Sequence, residues 1–242
     1  MLLAIDIGNT RTKAAVFEEA SLLEQFSFGK NELQKNIYKI FDRYPKISDL
    51  IVSTVGSEHF AFPIPDGIQL HVVNNHWNFP FVNRYETPTT LGIDRMVLAA
   101  GATLRFPNTN RLIIDVGTCI TYDFIDSEDN YHGGAISPGL KLRYISLNNY
   151  TAKLPLLDLS APKDLVGKST AESIHSGVVN GVVNEIDGFI EAYQKTNSNF
   201  IIILTGGDAE FLAERLKNTI FANSNFLLES LNQTFQYKIK ND

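Results

Sequence analysis

A single cysteine, Cys119, stands in a chain of 242 residues. No intramolecular disulfide can form, and a reducing compartment is the expected setting. Excess positive charge is also missing. The formal balance is −6 at pH 7, and no Lys/Arg cluster offers a nucleic-acid surface. No apolar run approaches the roughly 20 residues of a membrane span. Met1 runs directly into a strand-like segment with no charged and apolar leader, so a cytoplasmic protein is expected. His59, His71, His76, His132 and His175 contain no H-x-x-x-H pair, which with one cysteine argues against zinc. Neither G-x-S-x-G nor G-x-x-x-x-G-K-[ST] occurs, which sets aside serine hydrolases and P-loop kinases. Gly167-Lys168-Ser169-Thr170 imitates only the tail of a P-loop, without its upstream glycine and strand.

What remains is ordinary globular material, 44% apolar and 20% charged, enough for a sizeable core in one large domain or two small ones. The chain is organised around its opening stretch. Leu2 to Ile5 reads as a buried strand that reaches a carboxylate, Asp6, and Gly8 then allows a turn and close approach of a ligand. Asn9, Thr10 and Thr12 add amide and hydroxyl groups, and Lys13 a cation. Such parts suit a metal-complexed polyphosphate: Asp6 can anchor hydrated Mg²⁺ while backbone N–H groups and Lys13 answer phosphate charge. The same plan recurs in Leu112-Ile113-Ile114-Asp115-Val116-Gly117-Thr118, and each copy runs on into a second apolar strand. A duplicated Asp-x-Gly hairpin predicts two related half-domains holding one phosphate chain. The loop from Arg105 to Arg111 is the best boundary, giving domains 1–107 and 108–242.

Between and after the hairpins, helical spacing predicts helices over 31–44, 141–154, 171–193, 209–217 and 227–239. Asp49 to Gly56 reads as a buried strand whose small residues Ser53, Thr54 and Gly56 sit at the ligand end of a parallel sheet. Ile68 to Val73 and Asn199 to Leu204 read as further strands, and Asn74 to Tyr85 as an aromatic surface segment. Gly92, Ile93 and Asp94 fall at the start of a helix rich in small residues. Asp94 is the choice for a general base beside an acceptor hydroxyl, and Arg95 for neutralising phosphate or pinning a carboxylate. An acid that merely stabilises a helix N-terminus is the competing reading of Asp94. Tyr131 to Leu140 is expected to be too glycine-rich for a core element. Gly177, Gly181 and Gly188 each weaken a helix by about 1 kcal/mol, so close packing or a ligand is expected beside them.

Five motifs then fall together in order: Asp6-Ile7-Gly8-Asn9-Thr10, Gly92-Ile93-Asp94-Arg95, Ile114-Asp115-Val116-Gly117-Thr118, Gly133 to Gly139, and Thr205-Gly206-Gly207-Asp208. Over nearly the whole chain this set resembles the type III pantothenate kinases. The resemblance implies an α/β fold with two ribonuclease-H-like domains of the actin and sugar-kinase type, with mixed sheets around a central ATP cleft. It implies a homodimer that phosphorylates pantothenate with ATP, Mg²⁺ and a monovalent cation, K⁺ or NH₄⁺, as the first step towards coenzyme A. It carries ATP contacts onto Asp6, Ile7, Gly8, Asn9, Thr10, Arg11, Thr12, Lys13 and Thr118. Pantothenate contacts fall on Tyr85, Gly92, Ile93, Asp94, Arg95 and Thr170, with Asp94 the proton acceptor, Asp115 the monovalent-cation ligand and Asp6 the water-mediated Mg²⁺ anchor. The chain departs from the family's usual pattern at Arg11, Thr87 and Ser230. A kinase for another small alcohol, or a catalytically silent accessory protein of the same fold, is the alternative. The intact set Asp6, Asp94, Arg95 and Asp115 argues against silence.

Overall fold

The computed structural model describes residues 1–54 and 63–241. In chain order the elements are β1 (Leu2–Ile7), β2 (Thr12–Glu18), β3 (Ser21–Phe28), α1 (Leu33–Arg43), β4 (Asp49–Thr54), β5 (Gln69–Val72), β6 (Val82–Asn83) and α2 (Ile93–Arg105). There follow β7 (Asn110–Val116), β8 (Cys119–Ile125), β9 (Asn130–Pro138), α3 (Leu140–Asn149), α4 (Thr170–His175), α5 (Gly181–Thr196), β10 (Phe200–Thr205), α6 (Ala209–Ala213), β11 (Phe221–Ala222) and α7 (Phe226–Asn241). Packing divides them into two units. The first is Met1–Pro107 with Asp129–His132 and Asn225–Asp242, and the second is Asn108–Glu128 with Gly133–Ser224. The chain passes to the second unit after Pro107 and returns to the first unit twice.

The first unit holds a five-stranded sheet in the order β3-β2-β1-β4-β5. β1 pairs antiparallel with β2 and parallel with β4, which places Lys13 and Ser53 on either side of Asp6. Every residue of β1 is buried, as expected for a strand covered on both faces. Leu3, Ile5 and Ile7 join Ile37, Ile40 and Phe41 of α1 in one core. The expected strand 49–56 is β4 as far as Thr54. Val55, Gly56 and His59 lie outside the described residues.

The tail helix does not close the second half of the chain, as its position in sequence suggested. α7 packs on α2, β1 and β4, burying Phe226, Leu227, Leu228, Leu231 and Phe235. The α2–α7 approach is so close that a Cβ on Gly101 would overlap the Ser230 hydroxyl. Asn232 donates to the Glu19 carbonyl at 2.8 Å, across 213 positions of sequence. Contacts of such separation leave no local trace in composition.

The second unit repeats the plan with β11-β10-β7-β8-β9 side by side. β7 pairs antiparallel with β8 and parallel with β10, which puts Thr121 and Thr205 on either side of Asp115. The core joins Leu112, Ile114 and Tyr122 to Val178, Val182, Ile186 and Ile190 of the helices. The glycine-rich stretch is strand after all: β9 runs through it, and Gly134 backs so closely on the Tyr122 carbonyl that no side chain fits. The long helix expected over 171–193 is present but interrupted, with a π-helical stretch Ser176–Asn180 joining α4 to α5. α6 is shorter than expected. Gly177, Gly181 and Gly188 face open space within 4 Å among the described residues, so packing in this chain does not offset their cost.

The α2–α7 contact makes a direct test. Gly101→Ala is expected to cost about 1–3 kcal/mol, the usual penalty of overpacking, read as a lower denaturation midpoint. Adding Ser230→Gly should recover part of the loss. An unchanged midpoint in the single variant would mean that the helices sit farther apart.

Candidate active site

In the first unit the site is built on the carboxyl end of β1. Asp6 is 7% exposed, and the Ser53 hydroxyl donates to its Oδ1 at 2.6 Å. Burial pushes its carboxyl up from 3.8 to about 6, and the neighbouring Asp94 charge pushes the same way. The Ser53 hydrogen bond and the Lys13 charge oppose them. The turn beyond Asp6 closes through Gly8 N–H to the Arg11 carbonyl, 3.2 Å, with Asn9 and Thr10 exposed. Ile7 and Thr12 are buried and shape the hairpin. Arg11, which departs from the family pattern, turns onto β3, where Nε donates to Ser27 Oγ at 2.9 Å and Nη2 to its carbonyl at 3.1 Å.

Asp94 enters this group from the first turn of α2. Its Oδ1 accepts from the Arg95 N–H at 2.9 Å, so the helix-terminus reading holds alongside any catalytic one. The carboxylate folds back over Gly92, where a Cβ would overlap Oδ1. Glycine at the cap is therefore what lets Asp94 take this position. Arg95 is 6% exposed, with its guanidinium 5.7 Å from the Tyr85 ring centroid in cation–π geometry. The structure thus brings together Asp6, Lys13, Ser53 and Asp94, and sets Arg95 on Tyr85.

The second unit presents the other hairpin. Gly117 N–H bonds the Cys119 carbonyl at 2.9 Å, and Thr118 is exposed at the bend. Asp115, partly exposed, is met from β10 by Gly206, which adopts φ +102°. Only glycine suits it there: a Cβ would overlap the Val116 carbonyl and stand 2.6 Å from Asp115 Oδ1. Thr170 is on the wall of a cavity of about 990 Å³ that Arg143, Lys168, Ser173 and Gly177 also line. The P-loop imitation proves to be a helix start. Ser169 Oγ accepts from Glu172 N–H at 3.2 Å, and Glu172 Oε2 from Lys168 N–H at 2.7 Å. That is a close variant of the capping box, legible as Ser169-x-x-Glu172.

Two cation sites can be weighed on these residues. Asp6 is a hard oxygen donor, and a divalent cation beside it would relieve its repulsion with Asp94, so the site fits Mg²⁺. Around Asp115, the hydroxyls of Thr121 and Thr205 are buried, with no hydrogen-bond partner among the described residues. One carboxylate with neutral oxygens suits a singly charged hard cation better than a transition metal. Among the described residues no group of three or more His, Cys, Asp or Glu could hold a metal by itself. His71 is bound to Asp49 and His175 to Tyr144, at 2.9 and 2.8 Å. No helix of the described residues is long and apolar enough to cross a membrane.

Two mixed sheets, each opening on an Asp-x-Gly hairpin with a parallel strand beside it, define the fold of the actin and sugar-kinase-like ATPases. A glucokinase from an Antarctic psychrotroph matches at TM-score 0.52 and 13% identity, over 98% of each chain. The family model described as type III pantothenate kinase matches residues 2–192, and the chain belongs to that family. A type III pantothenate kinase of Flavobacterium johnsoniae is 66% identical over 244 residues, covering 100% of both chains. One of Flavobacterium psychrophilum is 56% identical over 240 residues, covering 98% of this chain and 100% of its own.

The raised Asp6 carboxyl sets a pH dependence. The folded state keeps the proton where the unfolded state has released it, so stability falls as pH rises from about 4 through 6. Asp6→Asn is expected to be more stable than the parent above pH 6, by about 2–3 kcal/mol. The difference should vanish below pH 4. Chemical denaturation at pH 3.5 and 7.5 measures it, and a variant less stable at pH 7.5 would contradict the burial argument.

Proposed function

We propose that the chain transfers the γ-phosphoryl group of ATP to the primary hydroxyl of pantothenate, giving 4′-phosphopantothenate, the first step towards coenzyme A. Family membership supports the activity. The observation that carries the residue roles is Asp94, held by Gly92 and the Arg95 N–H within electrostatic reach of Asp6. In this reading Asp94 accepts the hydroxyl proton as the phosphoryl group moves across. Arg95, beside the Tyr85 ring, pins the carboxylate of pantothenate, with Gly92, Ile93 and Thr170 completing the substrate contacts. Residues Asp6 to Lys13 receive the phosphate chain: the turn at Gly8, Asn9, Thr10 and Arg11 through backbone and polar groups, Lys13 through its charge. Ile7 and Thr12 keep the turn in shape. Thr118 supplies a further ATP contact.

Asp6 would hold Mg²⁺ through water, and Asp115 would hold K⁺ or NH₄⁺ with the hydroxyls beside it. Such cations supply positive charge against the polyphosphate and its developing negative charge. The protein is proposed to work in the cytoplasm as a homodimer. Apolar side chains left exposed in the second unit, Ile136, Leu156, Leu165 and Val166 among them, support association with a second copy.

ADP release in the presence of Mg²⁺ should require pantothenate and rise with K⁺ or NH₄⁺. Asp94→Asn should fold and bind nucleotide, yet lose turnover by roughly 10²- to 10⁴-fold, the usual range for a positioned base. Near-normal turnover in that variant would move the base elsewhere. Without a P-loop around the phosphates, nucleotide affinity should be weak. A sub-micromolar Kd for ATP by calorimetric titration would contradict this.

A further inference from the structure

An ion pair in the second unit has no part in the chemistry above. Arg143, in the first turns of α3, reaches Glu185 of α5 with Nη2 to Oε2 at 2.6 Å. Their side chains are 22% and 25% exposed, too sheltered to be a loose surface pair. Burial alone would raise the Glu185 carboxyl, but hydrogen bonds from Arg143, Ser137 and Tyr122 outweigh it and hold the group below its ordinary value.

The contacts made by the pair form a closed circuit. Arg143 Nε donates to the Pro138 carbonyl at 2.8 Å, and Nη2 also donates to Ser137 Oγ at 2.8 Å. This fixes the end of β9 immediately before Gly139. Gly139 N–H then bonds the Thr118 carbonyl at 3.0 Å. Its Cα sits so close to the Gly117 and Thr118 carbonyls that a Cβ would overlap both. On the far side of the circuit, the Tyr122 hydroxyl donates to Glu185 Oε1 at 2.9 Å. Tyr122 is wholly buried, stacked on Phe189 with ring centroids 4.1 Å apart. It lies on β8, the strand that begins one residue after Thr118. The bend at Gly117-Thr118 is therefore tied at both ends to one carboxylate: through Tyr122 along β8, and through Arg143, Pro138 and Gly139 across the carbonyls.

We propose that Glu185 and Arg143 are positioning residues that hold the Gly117–Thr118 bend in the shape that grips the ATP phosphates. The inference rests on the proposed role of Thr118 as an ATP contact. Neither side chain touches nucleotide in this account. Their effect passes through backbone, so removing the pair should weaken ATP and leave pantothenate alone. Glu185 is the better probe, because Arg143 also lines the cavity that contains Thr170.

The test is calorimetric titration of Mg²⁺-ATP, with steady-state kinetics for both substrates, on the parent, Glu185→Gln, Glu185→Asp and Ser137→Ala. Glu185→Gln should raise the Kd and KM for ATP roughly five- to tenfold and leave KM for pantothenate within about twofold. Glu185→Asp should restore most of the loss. If Glu185→Gln does not fold by circular dichroism, Ser137→Ala, which removes one Arg143 contact, should still raise the ATP constant about two- to threefold. A pair that only stabilises the fold would lower the melting temperature or the active fraction with the ATP Kd unchanged, and that result overturns the proposal. Parent protein that binds ATP but releases no ADP with pantothenate would defeat the kinase reading instead. The ATP Kd of the variants would still decide the role of the pair.

Discussion

A carboxylate buried where a central strand ends is the constraint from which the first unit takes its form. Asp6 is almost fully removed from water, receives one hydroxyl hydrogen bond, and has a second acid, Asp94, close enough to disfavour its charge. Lys13, opposite Asp6 across the hairpin, answers only part of that cost. A structure built for stability alone would place an amide or an apolar residue here, since desolvating a charge is expensive. The arrangement is economical only if a cation completes it, which is the role proposed for the Mg²⁺ that accompanies ATP.

The second hairpin follows the same plan with different chemistry. Asp115 keeps some contact with solvent and has a threonine in register on each neighbouring strand, where Asp6 has a lysine and a serine. Gly206 approaches it in a backbone conformation closed to other residues. One fold element thus yields an acid beside a second acid in one unit and an acid among neutral oxygens in the other. Those are the donor sets expected for a divalent and a monovalent cation respectively. The proposed division of labour follows from neighbours in register and needs no difference in the Asp-x-Gly bend itself.

Much of this was legible in the chain. The hairpins announce themselves by apolar runs ending on Asp-x-Gly, while the register partners of Asp6 and Asp115 come only with the structure. Helix α2 was marked by its glycine start and small-residue face, and Asp94 could be placed on its first turn by counting. What stayed hidden depends on distance in sequence. The docking of α7 in the first unit turns on Gly101 meeting Ser230, and nothing near either residue signals the other. The Arg143–Glu185 pair spans 42 positions, and each residue alone reads as solvated charge on a helix. The glycines at 177, 181 and 188 have no close packing partner among the described residues; helix propensity predicts a cost but not what stands opposite. Gly177 instead lines the cavity beside Thr170. Gly134 and Gly139 lie in a stretch whose glycines read as unfit for a core element, and both prove to be close approaches to the protein's own backbone.

The most direct test of the account is the thermal shift produced by Mg²⁺-ATP at pH 7.5 in the parent protein and in Asp6→Asn. If the buried carboxylate exists to be completed by the ligand, the parent should melt several degrees higher with Mg²⁺-ATP. The variant, relieved of its buried charge beforehand, should respond little. An equal rise in both proteins would contradict the account.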